Sequence, residues 1–402
     1  MKKLSVLILS LVLSLSAVQV FAQAKSGAEV LEAPKRRYRI AFSNGDMNNS
    51  WRWAFVQSMQ EWAGKYQNLG PGIDFIWTNS HADSARQLMD CETLLAMKPD
   101  MLILSPNQDE PLDPVIDMAT KAKVPLMVID RSLVRQPGVG TYFVNITQNF
   151  AFTGMYQAMY ALEFLKAKYG SYKGKIVEIQ GLIGASPSTD EYVGLRAVLK
   201  NYPDIKIIAT GDGSYSQEGG RTVMEGFLQK YPKKDDFDLI ICYSDSEALG
   251  AIEAIKAAKR TDLLDGRIMG KDQMVEYLEL LLNGQVLMTT ECSPYYGPFA
   301  MKMAIEYLNG TTKPQPITYL PLRCWENPKG KVDLTPAKND AEIIKNHIAF
   351  AKARNLVLVP PESGNYPELT LDLTKTKGYD IVMEYSKTRK IPAGIYDLQN
   401  TK

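Results

Sequence analysis

From Tyr38 onward, short apolar runs alternate with longer segments whose apolar residues recur every three or four positions. The runs Arg39–Phe42, Ile73–Trp77, Met101–Leu104, Leu126–Ile129 and Tyr142–Val144 predict buried strands. The segments between them, Trp51–Tyr66, Ala82–Met97 and Pro111–Ala122, predict helices. A long helical pattern follows at Phe150–Tyr169, and the alternation then restarts. Its strands are Lys175–Ile179, Ile205–Ala209, Leu239–Cys242, Arg267–Met269 and Gln285–Thr290, and its helices are Asp190–Asn201, Gln217–Tyr231, Ser246–Ala258 and Gly297–Asn309. Strands that read as continuous apolar runs between helices predict an α/β fold of parallel sheets covered on both faces. Two successive runs of such units predict two lobes, each with its own core, and a cleft between them where a small molecule would bind.

The two ends of the chain differ from this pattern. Residues 1–22 combine Lys2 and Lys3, an apolar run over Leu4–Leu15 and the small-residue end Val20-Phe21-Ala22, which predicts a secretory signal peptide cleaved after Ala22. The run is short for a membrane span of about 20 residues. Residues 23–37 are polar and irregular and are expected to form a flexible lead-in. Beyond Glu326, Pro, Lys and Asp clusters surround one clear helical pattern, Asp340–Arg354. Leu356–Val359 and Leu369–Leu373 are candidate short strands, and Ile381–Tyr385 a further helix. This tail carries no recognisable chemical motif.

Composition narrows the function classes. The 402 residues carry a net charge of +1, which gives no electrostatic footprint for a nucleic-acid partner. The only two histidines, His81 and His347, lie far apart, so histidine-based metal sites and catalysis are disfavoured, and neither a metal nor another cofactor is expected. The spacing of Cys91, Cys242, Cys292 and Cys324 fits no zinc pattern. A Cys292–Cys324 disulfide is one option in an oxidising compartment. No GxSxG elbow or P-loop is present.

Candidate chemistry gathers at the carboxyl ends of strands, where open α/β sheets bind ligands. After Ile40–Phe42 comes an amide-rich loop, Asn44–Ser50, and then Trp51 at a helix start. Asn48 and Asn49 donate and accept hydrogen bonds, and Trp51 offers a flat apolar face, a pairing suited to a polyol. Asp130 and Arg131 end another strand, either as sugar-hydroxyl contacts or as a structural ion pair. Tyr215 follows a strand as a second stacking ring or as the cover of a helix end. Ser244 and Asp245 are equally a helix cap and a ligand contact. Asp272 and Glu291 follow the next two strands.

These short motifs keep an order that resembles a known family. I-A-F with Asn48–Asn49, V-I-D-R at Val128–Arg131, V-E-I-Q-G at Val177–Gly181, S-D-S-E-A-L-G at Ser244–Gly250, G-K-D at Gly270–Asp272 and T-T-E-C-S-P at Thr289–Pro294 resemble ribose- and galactofuranose-type periplasmic binding proteins. These are the type I sugar-binding components of ABC transporters, and the resemblance runs from Tyr38 to Arg323. It implies two Rossmann-like lobes joined by three crossover segments near Ile146, Cys292 and Arg323, closing on a sugar. The lobes would comprise residues 38–146 with 293–322 and residues 147–292 with 323–335, with 336–402 as a C-terminal extension. It further implies sugar contacts from Asn49, Asp130, Arg131 and Asp272, stacking from Trp51 and Tyr215, and a hinge contact near Glu291. The family's second-lobe Arg falls near Thr189 and Asp190, where this chain has no Arg, its second-lobe amide falls on Ser244, and its second stacking ring after Asn49 falls on Arg52. The resulting expectation is a monomeric, exported, non-enzymatic sugar-binding protein that serves an ABC permease. A sensory protein presenting sugar to a chemoreceptor or kinase is the near alternative, and an exported carbohydrate-active enzyme the remote one. A LacI-type repressor is disfavoured by the signal peptide and by the lack of a helix-turn-helix before Tyr38.

Overall fold

In the computed structural model, residues 31–138, 140–334, 341–360 and 372–395 are described, so the segment expected to be a signal peptide lies outside them. The first apolar run becomes β1 (Tyr38–Asn44), flanked by β2 (Ile73–Asn79) and β3 (Met101–Ser105), both parallel to it. β4 (Leu126–Asp130), β5 (Val144–Thr147) and β11 (Ile317–Tyr319) complete a six-stranded sheet in the order β11-β5-β4-β3-β1-β2. The inner strands are almost wholly buried, as expected where helices cover both faces.

The second sheet repeats the plan in the order β12-β10-β9-β8-β6-β7. Its strands are β6 (Gly174–Gln180), β7 (Ile205–Asp212), β8 (Leu239–Cys242), β9 (Ile268–Lys271), β10 (Met288–Thr290) and β12 (Cys324–Glu326). Only β12 runs antiparallel to its neighbour. The chain crosses between lobes after β5, again between β10 and a helix that packs on the helix following β1, and finally between β11 and β12. Strand–helix alternation thus produces the α/β two-lobe architecture expected, joined by three segments.

Each strand-end loop of interest leads into a helix. α1 (Ser50–Gln67) follows β1, and α2 (Ser84–Ala96) follows β2. The expected helix Pro111–Ala122 is divided into α3 (Asp109–Leu112) and α4 (Val115–Ala122), since Pro114 has no N–H to continue the ladder. α5 (Phe150–Tyr169) lies against α6 (Ser186–Leu199), and α7 (Gln217–Lys230) against α8 (Asp245–Ala257). A short helix not anticipated, α9 (Val275–Leu282), follows β9, and α10 (Gly297–Asn309) packs on α1. The strand expected at Tyr142–Val144 is displaced to β5 because Gly138–Tyr142 form a hydrogen-bonded turn.

Two expectations for the ends are corrected. Where it is described, the lead-in is anchored, not flexible: Lys35 N donates to Asn309 Oδ1 at 3.0 Å, and Glu32 accepts from Asn309 Nδ2 at 2.7 Å. The described parts of the tail are folded onto the second lobe. α11 (Ala341–Lys352) packs on α9, and α12 (Tyr379–Thr388) packs on α6. Leu358 forms a single antiparallel bridge with Met274 in place of a strand; most of the candidate strand Leu369–Leu373 lies outside the described residues, and Leu373 itself lies in a short 3₁₀ turn. All four cysteines are free and buried, so Cys292 and Cys324 are not joined.

Candidate functional site

The loops after β1, β4, β7 and β9 meet at the carboxyl edges of the two sheets. Asn49 caps α1, its Oδ1 accepting from Arg52 N at 2.8 Å. The same side chain reaches across the cleft, Nδ2 donating to Tyr215 O at 2.8 Å. Trp51 is fixed by its indole N–H, which donates to Cys292 O at 2.6 Å, and by stacking on Phe55. The lobes also meet where Ser132 N donates to Ser186 Oγ at 2.7 Å and Ser186 N to Asp109 Oδ1 at 2.8 Å.

Between the lobes lies a small cavity. Six of the ten residues that the family resemblance assigns to the site line it: Asn49, Trp51, Asp130, Arg131, Tyr215 and Asp272. The other four are turned to other work. Ser244 caps α8, its hydroxyl accepting from Glu247 N at 3.1 Å. Thr189 bonds the backbone of its own helix, at Ala185 O. Asp190 receives Tyr385 Oη at 2.6 Å and Arg389 at 2.7 Å, both from the tail. Glu291 holds Arg323 in a two-pronged ion pair between two crossover segments. The lining also includes Arg52, Phe150, Pro187, Lys271 and Cys292, which sequence reasoning did not select.

Charge in the cavity wall is paired inside the protein. Arg52 Nη1 lies 2.8 Å from Asp130 Oδ2, and its Nε lies 3.4 Å from Asp46. Arg131 Nη2 lies 3.3 Å from the same Asp46 oxygen. Burial and the neighbouring Arg52 lower the affinity of Arg131 for its proton, and Asp46 and Asp130 draw it back. Lys271 binds Glu191 and sits 4.9 Å from the Phe150 ring centre and 5.1 Å from that of Tyr215. Although burial opposes its charge, the carboxylates around Lys271 keep it protonated. Burial pushes the Asp272 carboxyl above the usual carboxylate range, and the charge of Lys271 pulls it back. The buried Tyr215 hydroxyl meets no partner among the described residues. Also among these, no three His, Cys, Asp or Glu side chains are grouped to hold a metal ion.

Residues 40–312 match the model of the periplasmic binding protein domain. The chain belongs to the periplasmic binding protein family. This is the family whose motifs were read in the sequence, and it is one of binding proteins, not enzymes. The galactofuranose-binding protein YtfQ of Escherichia coli strain K12 is 24% identical over 304 residues, covering 75% of this chain and 91% of that protein. The ribose import binding protein RbsB of Bacillus subtilis strain 168 is 26% identical over 277 residues, covering 69% of this chain and 83% of that protein. Among solved structures, the binding component of the arabinose ABC transporter from Shewanella sp. ANA-3, bound to L-arabinofuranose, superposes with a TM-score of 0.66 at 24% identity. That superposition covers 79% of this chain and 96% of the other. The family is periplasmic, and no described helix is long and apolar enough to cross a membrane.

Proposed function

We propose that this periplasmic binding protein takes a neutral monosaccharide into the interlobe cavity and delivers it to an ABC permease. The observation that carries the reading is the cavity wall itself. It joins directional polar groups from both lobes (Asn49, Asp130, Arg131, Asp272) to the flat rings of Trp51 and Tyr215. A sugar needs both, hydrogen bonds along its hydroxyl edge and an apolar surface against its C–H face. Neutrality of the ligand follows from the charge pairing, because Arg52, Arg131 and Lys271 each already face a carboxylate. A charged ligand would leave one of these buried ions uncompensated. The named ligands of the relatives, galactofuranose and ribose, and that of the structural neighbour, arabinofuranose, are monosaccharides of this kind.

In this reading Asp130 and Asp272 accept from sugar hydroxyls, and Arg131 donates. Asn49 links sugar binding to closure, since it already spans the cleft to Tyr215. The test is a thermal-shift screen of the exported protein against pentoses, hexoses, furanose-rich sugars, polyols and nucleosides. A ligand that binds only the folded state raises the melting temperature. A monosaccharide hit without turnover is the expected result, and a panel without any shift would count against a sugar ligand. Delivery is tested separately, by reconstituting sugar uptake in vesicles that carry the permease, with and without this protein.

A further inference from the structure

Asp272 faces the cavity from a strained position. Its φ is +125° and that of the next residue, Gln273, is +58°, so two consecutive non-glycine residues occupy the sparsely allowed positive-φ region. Such a conformation persists only where its surroundings over-determine it. Part of the restraint comes from the second lobe: Asp272 N donates to Thr290 O at 2.9 Å, and Met274 N donates to Asp245 at 2.8 Å. The rest comes from the tail. Gln273 Nε2 donates to Val359 O at 2.7 Å, Val275 N donates to Val357 O at 2.9 Å, and Met274 bridges Leu358. The other end of the Gln273 amide accepts from Trp325 Nε1 at 3.1 Å. Gln273, Leu358 and Trp325 are fully buried.

Residues 357–359 lie beyond the stretch, 40–312, that matches the family domain. We infer that this added segment is a working part of the binding site, and that Gln273 is the positioning residue through which it holds Asp272 toward the ligand. The inference rests on the monosaccharide reading above for its effect on binding, and on the loop geometry alone for its effect on order. Removing the clamp leaves the strained turn free to relax, and Asp272 then spends much of its time away from the cavity. A sugar must restore it on binding and loses affinity accordingly.

The experiment compares the full chain with Gln273→Met, which keeps the volume and loses both hydrogen bonds. Tyr160→Phe serves as a control for lost stability, because it deletes a buried bond to Glu326 at 2.8 Å, elsewhere on β12. Hydrogen exchange of the sugar-free proteins is followed over residues 270–276. Exchange there should accelerate at least tenfold in Gln273→Met and stay near wild type in Tyr160→Phe; equal exchange in all three proteins overturns the inference. Affinity is then measured by calorimetry with L-arabinose and D-ribose as probes. Gln273→Met should weaken the bound probe about tenfold. In an Asp272→Asn background the same change should weaken it hardly at all, since the residue through which it acts is already lost. An undiminished tenfold loss in that background overturns the positioning role. If neither sugar binds the wild type, the monosaccharide reading fails for these probes, and the exchange result alone decides on the clamp.

Discussion

Asp130 is held at φ +66°, where its carboxylate turns from the end of β4 into the cavity, and Thr147 Oγ1 secures its carbonyl at 2.6 Å. Asn tolerates this region better than most residues, so Asp130→Asn keeps the backbone and the shape while removing the charge. The loss of a charge-assisted hydrogen bond, about 1.5–3 kcal/mol, predicts roughly tenfold to hundredfold weaker sugar binding by calorimetry, with a thermal transition still cooperative. Asp130→Ala goes further, for it leaves the buried Arg52 with Asp46 at 3.4 Å as its one nearby carboxylate among the described residues, and the melting temperature should fall as well. The strand-end position of Asp130 left a sugar contact and a structural ion pair open; the family resemblance pointed to the cavity, and the structure places Asp130 both in the cavity wall and in an ion pair with Arg52. Lys271 and Arg52 were not legible in the sequence. Lys271 reads as the middle of a turn motif, and Arg52 as the polar face of a helix whose first residues are exposed in most proteins. Both become cavity residues only because the other lobe closes over them, and that is tertiary information. Ser244 shows the converse: its position invited a ligand role, and the local demand of a helix N-terminus took the hydroxyl.

At the scale of elements, most helices and strands were legible as periodic segments, and the exceptions have local causes. α9 is eight residues with apolar side chains on several faces, which no single stripe announces, and β12 is three residues whose burial depends on the tail. The packing of α5 on α6 depends on Gly154, where an added methyl would lie 2.1 Å from Glu191 O. Gly154→Ala must push the helices apart and should cost at least about 1–3 kcal/mol in denaturant unfolding. Gly226 sits in α7 with nothing within 4 Å of such a methyl. Gly226→Ala should therefore stabilise the protein by up to about 1 kcal/mol through helix propensity, which makes it a matched control. The tail helix α11 carries a titration. Its His347 packs edge-on against Trp325, ring centres 4.9 Å apart, and burial holds its pKa down at about 4 from an ordinary 6.5. A depressed folded pKa means the unfolded chain takes up the proton first. The stability tied to neutral His347 is whole above pH 6.5, declines as the pH falls toward 4, and amounts to about 3 kcal/mol at most. Melting temperatures taken between pH 7 and pH 4 should fall further for the wild type than for His347→Gln. Equal slopes would show that His347 is not the group responsible.

For the molecule as a whole, the two sheets are joined by three crossings and also meet across the cleft through polar contacts. Asn49 reaches Tyr215, Ser132 reaches Ser186, and Ser186 reaches Asp109. None of these contacts was legible in the sequence, since each joins residues of separate lobes and none belongs to a motif. Polar latches of this kind suit a protein that must open again. Each contributes about 1 kcal/mol net, enough to bias the closed form and too little to lock it. A sugar held by both lobes binds tightly only to the closed form, so its apparent affinity scales with the closed fraction. Asp109→Ala removes the acceptor for Ser186 N without touching the cavity wall. If open molecules dominate without sugar, losing about 1 kcal/mol lowers the closed-to-open ratio, and with it the affinity, by about fivefold. The loss should appear in calorimetry as weaker binding with an unchanged final state. Small-angle scattering should show the same compact radius at saturating sugar for wild type and variant. An affinity left unchanged by Asp109→Ala, with a sugar-free radius already at the compact value, would mean that the lobes stay shut without ligand and that entry requires a separate opening step.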